Sequence, residues 1–90
     1  MNNCGTLPIE EVHLIKGRGV VAVGRVTNGR FNVWDDITIM RQDGTQIKSK
    51  IRSFEMYGNI SYVLKGDNVG MLLLNIQIDD INAGDIIMQI

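Results

Sequence analysis

The chain has 90 residues, 44% of them hydrophobic and 21% charged, and nine Lys and Arg against ten Asp and Glu give a formal net charge of -1. That length supports one domain with one modest core, and the composition excludes the disordered class. The near-neutral balance argues against a general nucleic-acid coat, whose phosphate affinity rests on cation number, but leaves room for a local basic patch.

Cys4 is the single cysteine, so no internal disulfide forms, which fits a reducing compartment. No basic start leads into a long apolar run, so no signal peptide or membrane span is expected and a cytoplasmic setting is inferred. Cys4 lies in the polar start "MNNCGT", and residues 1–6 read as a flexible tail ahead of a single domain over 7–90. In "LPIEEVHLI", Leu7 to Ile15, Pro8 suits a strand start or an edge. The alternation breaks at Glu10 and Glu11, which predicts a turn or bulge before a short strand from Val12. Gly17 and Gly19 then permit a sharp change of direction around Arg18. The β-branched run "VVAVGRV", Val20 to Val26, predicts a buried strand. Asn28-Gly29 favours a two-residue type I′ hairpin, with the chain returning through Phe31 and Val33. A strand follows with Ile37 and Ile39 on one face and Thr38 and Met40 on the other.

Asp43-Gly44 marks a second hairpin, between "DITIMR" and "TQIKSKIRSF". In the latter, period two sets Ile47 and Ile51 on one side and Lys48, Lys50 and Arg52 on the other. "EMYGNISYVLKGD" is less regular and is expected to loop across the end of a barrel, with Met56, Tyr57, Ile60, Tyr62 and Leu64 sealing the core. "NVGMLLLNIQID" predicts a central strand that runs on into the alternation of Ile76 and Ile78; "DDINAG" is a turn and "DIIMQI" a closing strand. Six or seven short strands separated by Gly or Asx turns make an all-β protein, a closed antiparallel six- or seven-stranded β-barrel. Closure removes exposed strand edges.

Motifs that carry chemistry are sparse. Gly17-Arg18-Gly19 lacks the lysine and hydroxyl of a Walker A loop and precedes a strand, so it reads as a turn whose arginine is offered to a partner. His13 is the only histidine, and the pairs Asp35-Asp36 and Asp79-Asp80 suit turn capping better than hydrolysis. Lys48, Lys50 and Arg52 form either a solvated strand face or a surface for an anionic strand such as RNA. Tyr57 and Tyr62 pack at the core or rim or stack on bases. Trp34, just before an acidic pair, either plugs the barrel end or projects as a recognition anchor. No nucleophile–base pair, metal set or cofactor motif is visible, so the chain is read as noncatalytic and without a cofactor.

The segments "LPIEEVHLIKGRGVVAVGRV", "GDNVGMLLL" and "IDDINAGDII", in that order between about Leu7 and Ile87, resemble the second domain of translational GTPases, that of elongation factor Tu in particular. The resemblance implies a β-barrel of the translation-protein type. In the full factor such a domain lies beside the GTPase domain and helps hold the aminoacylated end and the 5′ end of transfer RNA. Neither the GTPase domain nor the third domain is covered, so GTP binding or hydrolysis by this chain alone is not expected. By the same resemblance, Glu10 and Glu11 match an acidic pair bordering the pocket for the esterified amino acid. His13 matches a position that is usually phenylalanine, Val23 a threonine, and Asn68 the asparagine that helps recognise the aminoacyl end. Gly17, Arg18 and Gly19 match the family's turn, which makes Arg18 a contact for RNA or for another domain. Leu74 stands where an arginine is usual, and Trp34 where a glycine is typical.

The candidate binding set is therefore Arg18, Asn68, Glu10, Glu11, His13, Lys48, Lys50, Arg52 and Trp34. Two functions fit. One is a noncatalytic recognition module for an RNA end, transfer RNA or ribosomal RNA, working with a translation protein. The other is a protein-interaction or homodimeric assembly domain that has lost transfer-RNA recognition. The first expects Arg18 and Asn68 near one shallow groove. The second expects a contiguous apolar surface around Trp34 or the leucine strand.

Overall fold

Period-two alternation of β-branched and polar residues produces eight strands, seen in a computed structural model that describes residues 4–55 and 59–89. They are β1 (Thr6–Ile15), β2 (Gly19–Arg25), β3 (Arg30–Asn32), β4 (Asp36–Met40), β5 (Gln46–Phe54), β6 (Tyr62–Leu64), β7 (Asn68–Leu73) and β8 (Ile86–Gln89). Six of them close an antiparallel barrel in the order β1-β2-β7-β5-β4-β8, with β8 returning to β1, while β3 and β6 form a separate two-stranded sheet. Alternate residues point inward: Leu7 and Ile9, Val20 and Ala22, Ile37 and Ile39, Val69, Met71 and Leu73 all belong to the core. Phe31 of β3 and its cross-strand partner Val63 of β6 join it. Each of these Val, Leu, Ile, Met and Phe side chains, taken fully out of water, contributes roughly 1.5–3 kcal/mol.

The break expected at Glu10 and Glu11 is a bulge: the β1–β2 register shifts between Ile9 and Glu11. It does not split the strand, which begins at Thr6, and Cys4 is itself bridged to Arg30. The hairpin at Asp43-Gly44 forms between β4 and β5. Gly44 N–H donates to the Arg41 carbonyl at 2.9 Å, and Gly44 takes the positive φ of 92° that an L side chain resists. The Asp43 carboxylate accepts from the Thr45 hydroxyl at 2.6 Å and the Thr45 N–H at 2.9 Å, and these bonds, the hydroxyl's first, hold its pKa below the ordinary value of 3.8.

Three expectations fail, each for a physical reason. Asn28-Gly29 does not join paired strands, because both edges of β2 are already taken by β1 and β7. Instead the Asn28 carbonyl accepts from Thr6 N–H at 3.0 Å, and β3 pairs with β6. Tyr62 and Leu64 do not seal the core but are exposed, since period two turns only Val63 inward from so short a strand. Ile60 does pack against the core, while Met56 and Tyr57 lie outside the described residues. The strand alternation expected through Ile76 and Ile78 stops at Leu73, and Asn75, with a φ of 57°, turns the chain. Ile78–Asp80 is then a 3-10 turn capped by the Asp80 carboxylate, which accepts from Gln77 N–H at 2.8 Å.

Candidate functional site

The β1–β2 turn is a four-residue reversal in which Arg18 N–H donates to the Ile15 carbonyl at 2.9 Å, with Gly17 at φ 82° and Gly19 at φ 135°. It holds Arg18 out over the end of β5. There the guanidinium Nη2 lies 2.8 Å from Oε2 of Glu55, and the same oxygen accepts from the Ser53 hydroxyl at 2.6 Å. Glu55 is fixed in turn by its N–H, which donates to the Gly70 carbonyl at 2.7 Å. Glu55 thus ties the turn to β5 through its carboxylate and to β7 through its backbone N–H.

Below this tie a shallow groove of about 680 Å³ runs along the outside of the barrel, on β1, β2 and β7. Its floor is Val21, Val23 and Gly70, and its rim carries His13, Asn68 and Glu55. The register explains the grouping: His13 stands opposite Val21, and Val23 opposite Gly70. Val21 and Leu72 are cross-strand partners buried outside the barrel core, so the outer face is itself packed here. Gly70 is required by proximity: a Cβ built there would stand 2.9 Å from Cγ1 of Val21. Without that Cβ the floor stays open above Val21.

Of the candidate residues, the fold brings His13 and Asn68 into the groove and sets Arg18 at its end through Glu55. Glu10 and Glu11 do not line it. Glu10 falls at the bulge, and Glu11 points toward His13, 3.5 Å from Nε2, with both side chains more than half exposed. Such a pair contributes little. The lysine stripe divides. Lys50 faces Asp36, its partner in register, and pairs with it at 2.7 Å, while Lys48 is exposed. Arg52 sits where the β5–β7 register shifts between Ile51 and Ser53, and it lines a second cleft together with Arg18.

Trp34 lines neither cleft. It is 57% exposed, so the indole projects and does not plug the barrel. Its φ of 70° is the conformation that glycine adopts freely, and its N–H donates to the Ile51 carbonyl at 2.6 Å. Leu72 and Leu73 are buried and offer no apolar surface for assembly. Glu55 was not foreseen, because it lies in the irregular stretch "SFEMYG", where alternation gives no direction to a side chain. Among the described residues no cluster of three or more His, Cys, Asp or Glu is placed to hold a metal, and no helix is long and apolar enough to cross a membrane.

The sequence matches the family described as elongation factor Tu domain 2 over residues 19–88. The fold is similar to part of the apo crystal structure of translation elongation factor SelB from Methanococcus maripaludis, with a TM-score of 0.85 and 23% sequence identity. That similarity covers 100% of this chain and 19% of the other, so this chain spans about a fifth of that factor's length. The chain belongs to the elongation factor Tu domain 2 family.

Proposed function

We propose that this member of the elongation factor Tu domain 2 family is a noncatalytic recognition module that receives an RNA end in a translation-related setting. The observation that carries the reading is the groove itself. An apolar floor of Val21, Val23 and Gly70 is open to a small side chain or a sugar face, and polar groups of Asn68, His13 and Glu55 stand at its rim to fix orientation. Arg18, at the end of the groove, supplies a cation next to where a nucleotide would lie. Asn68 offers both an amide donor and an acceptor, which suits the edge of an ester or a ribose. Lys48 is exposed on β5 and contributes to attraction at longer range.

Labelled transfer RNA, aminoacylated and nonacylated, titrated at low and moderate salt tests this. Binding that weakens with salt and is tighter for the aminoacylated form is expected. Asn68→Ala should weaken it about tenfold, the worth of roughly 1.4 kcal/mol for one hydrogen-bonding side chain. No binding at either ionic strength, with the barrel folded, overturns the proposal. A second reading, contact with a protein or a second copy, rests on the projecting indole of Trp34. Light scattering that shows a strict monomer over a wide concentration range removes its homodimeric form.

A further inference from the structure

The cleft beyond Glu55 is lined by the polar residues Arg18, Arg52, Ser53, Glu55 and Asn59 together with apolar side chains such as Val33, and Glu55 lines both it and the groove. We propose that this two-arginine cleft holds one phosphate group of the RNA backbone, so that a strand whose end lies in the groove crosses Glu55 and is gripped on the far side. The inference rests on the function proposed above and adds the ligand's chemistry and a residue, Arg52, that fixes it.

The charges account for the choice of ligand. Two guanidiniums and one carboxylate line the cleft. Arg18 is matched by Glu55 at 2.8 Å, whereas among the described residues no carboxylate forms a salt bridge with Arg52. One positive charge is left over, and a phosphodiester carries one negative charge. The Glu55 carboxylate repels a phosphate least on the side where Oε2 already accepts from Arg18 and Ser53. A planar guanidinium offers a forked pair of donors that matches two phosphate oxygens, a geometry that a lysine ammonium lacks. The β5 bulge matters here. Arg52 lies at this bulge, and its side chain lines the cleft beside the β1–β2 turn.

Arg52 is exposed, so its replacement leaves the core intact. The measurement is titration of an unstructured RNA oligonucleotide into the wild-type chain, Arg52→Gln and Lys48→Gln over a range of salt, together with the same oligonucleotide carrying neutral methylphosphonate linkages. Loss of one phosphate contact to a single strand reduces the salt slope by about 0.7, which is about fivefold in affinity at 0.1 M relative to 1 M. Arg52→Gln should show that reduction and Lys48→Gln should show less, and the difference between wild type and Arg52→Gln should vanish on the neutral backbone. Equal effects of the two substitutions, or an Arg52 effect that persists on the neutral backbone, overturn the site while the groove reading stands. Absence of RNA binding by the wild-type chain overturns both.

Discussion

Placing a methyl group on Gly70 probes the floor of the groove and the packing beneath it in one step. The new Cβ would stand 2.9 Å from Cγ1 of Val21, against the roughly 3.5–4.0 Å at which two carbons rest. Val21 cannot turn aside easily. It is β-branched, buried, and set between His13 on β1 and Leu72 on β7. Overpacking of this kind costs about 1–3 kcal/mol. Against it stands the roughly 0.5–1 kcal/mol gained because alanine loses less chain freedom on folding than glycine. The difference is a net loss of about 0–2.5 kcal/mol, centred on roughly 1 kcal/mol, which for a domain of this size lowers Tm by about 4–8 °C at that centre. Urea denaturation followed by the Trp34 signal measures it. The cost comes from one methyl–methyl encounter, so the double-mutant cycle with Val21→Ala is the sharper test. Once the Val21 methyls are gone, Gly70→Ala should cost nearly nothing or become stabilising. An undiminished cost in the Val21→Ala background, or a Tm for Gly70→Ala at or above wild type, would refute the reasoning.

Three further outcomes are expected. Asp85 is the one polar side chain buried among the described residues, and its carboxylate accepts from Asn82 N–H at 2.8 Å and from Gln42 N–H at 3.1 Å, so Asp85→Ala should cost about 2–4 kcal/mol in chemical denaturation by leaving both donors without an acceptor. Because the hydrogen bonds from Thr45 lower the Asp43 pKa in the folded state, Asp43 contributes stability above the ordinary carboxylate range and loses it as pH falls through the folded pKa. The Tm difference between wild type and Asp43→Ala should therefore be larger at pH 7 and shrink below about pH 4. Arg18→Gln should leave the fold intact, since the Arg18–Glu55 pair is half exposed on the arginine side, yet weaken RNA binding more than Lys48→Gln does.

The barrel was legible because its signals are local and redundant. β-branched runs, a bulge at the glutamate pair and an Asp-Gly turn each name a strand or a connection from a few neighbouring residues. What could not be read was which strand pairs with which. Asn28-Gly29 has the residues of a hairpin, but hairpin formation needs a free edge on β2, and closure with β7, over forty residues away in sequence, removes it. The site was half legible for a related reason. His13 and Asn68 came from resemblance, whereas the division of the cationic row on β5 depends on a bulge that the alternation of Lys48, Lys50 and Arg52 conceals. Trp34 and Asn75 show the limit from the other side. Both sit at positive φ; an indole does not by itself announce such a backbone, and only the resemblance, in which glycine is typical at position 34, points to it.

Closure also explains why the groove lies where it does. A closed sheet has spent the backbone donors and acceptors of its edges, so a ligand cannot be held by adding a strand. Recognition is left to side chains on the outer face, and those on adjacent strands stand too close and too upright to leave a depression unless one of them is missing. Gly70 is that omission: β7 carries no side chain between Asn68 and Leu72 on this face, and Val21 rises into the space only far enough to form an apolar floor. The polar rim then comes from positions at the margins of regular pairing. Asn68 begins β7, and Glu55 follows the last residue of β5, next to Ser53 at the bulge. At such margins the chain is free to aim a side chain sideways, and there the Arg18 turn finds its carboxylate. A barrel that kept every strand regular and every outer position filled would have no such groove.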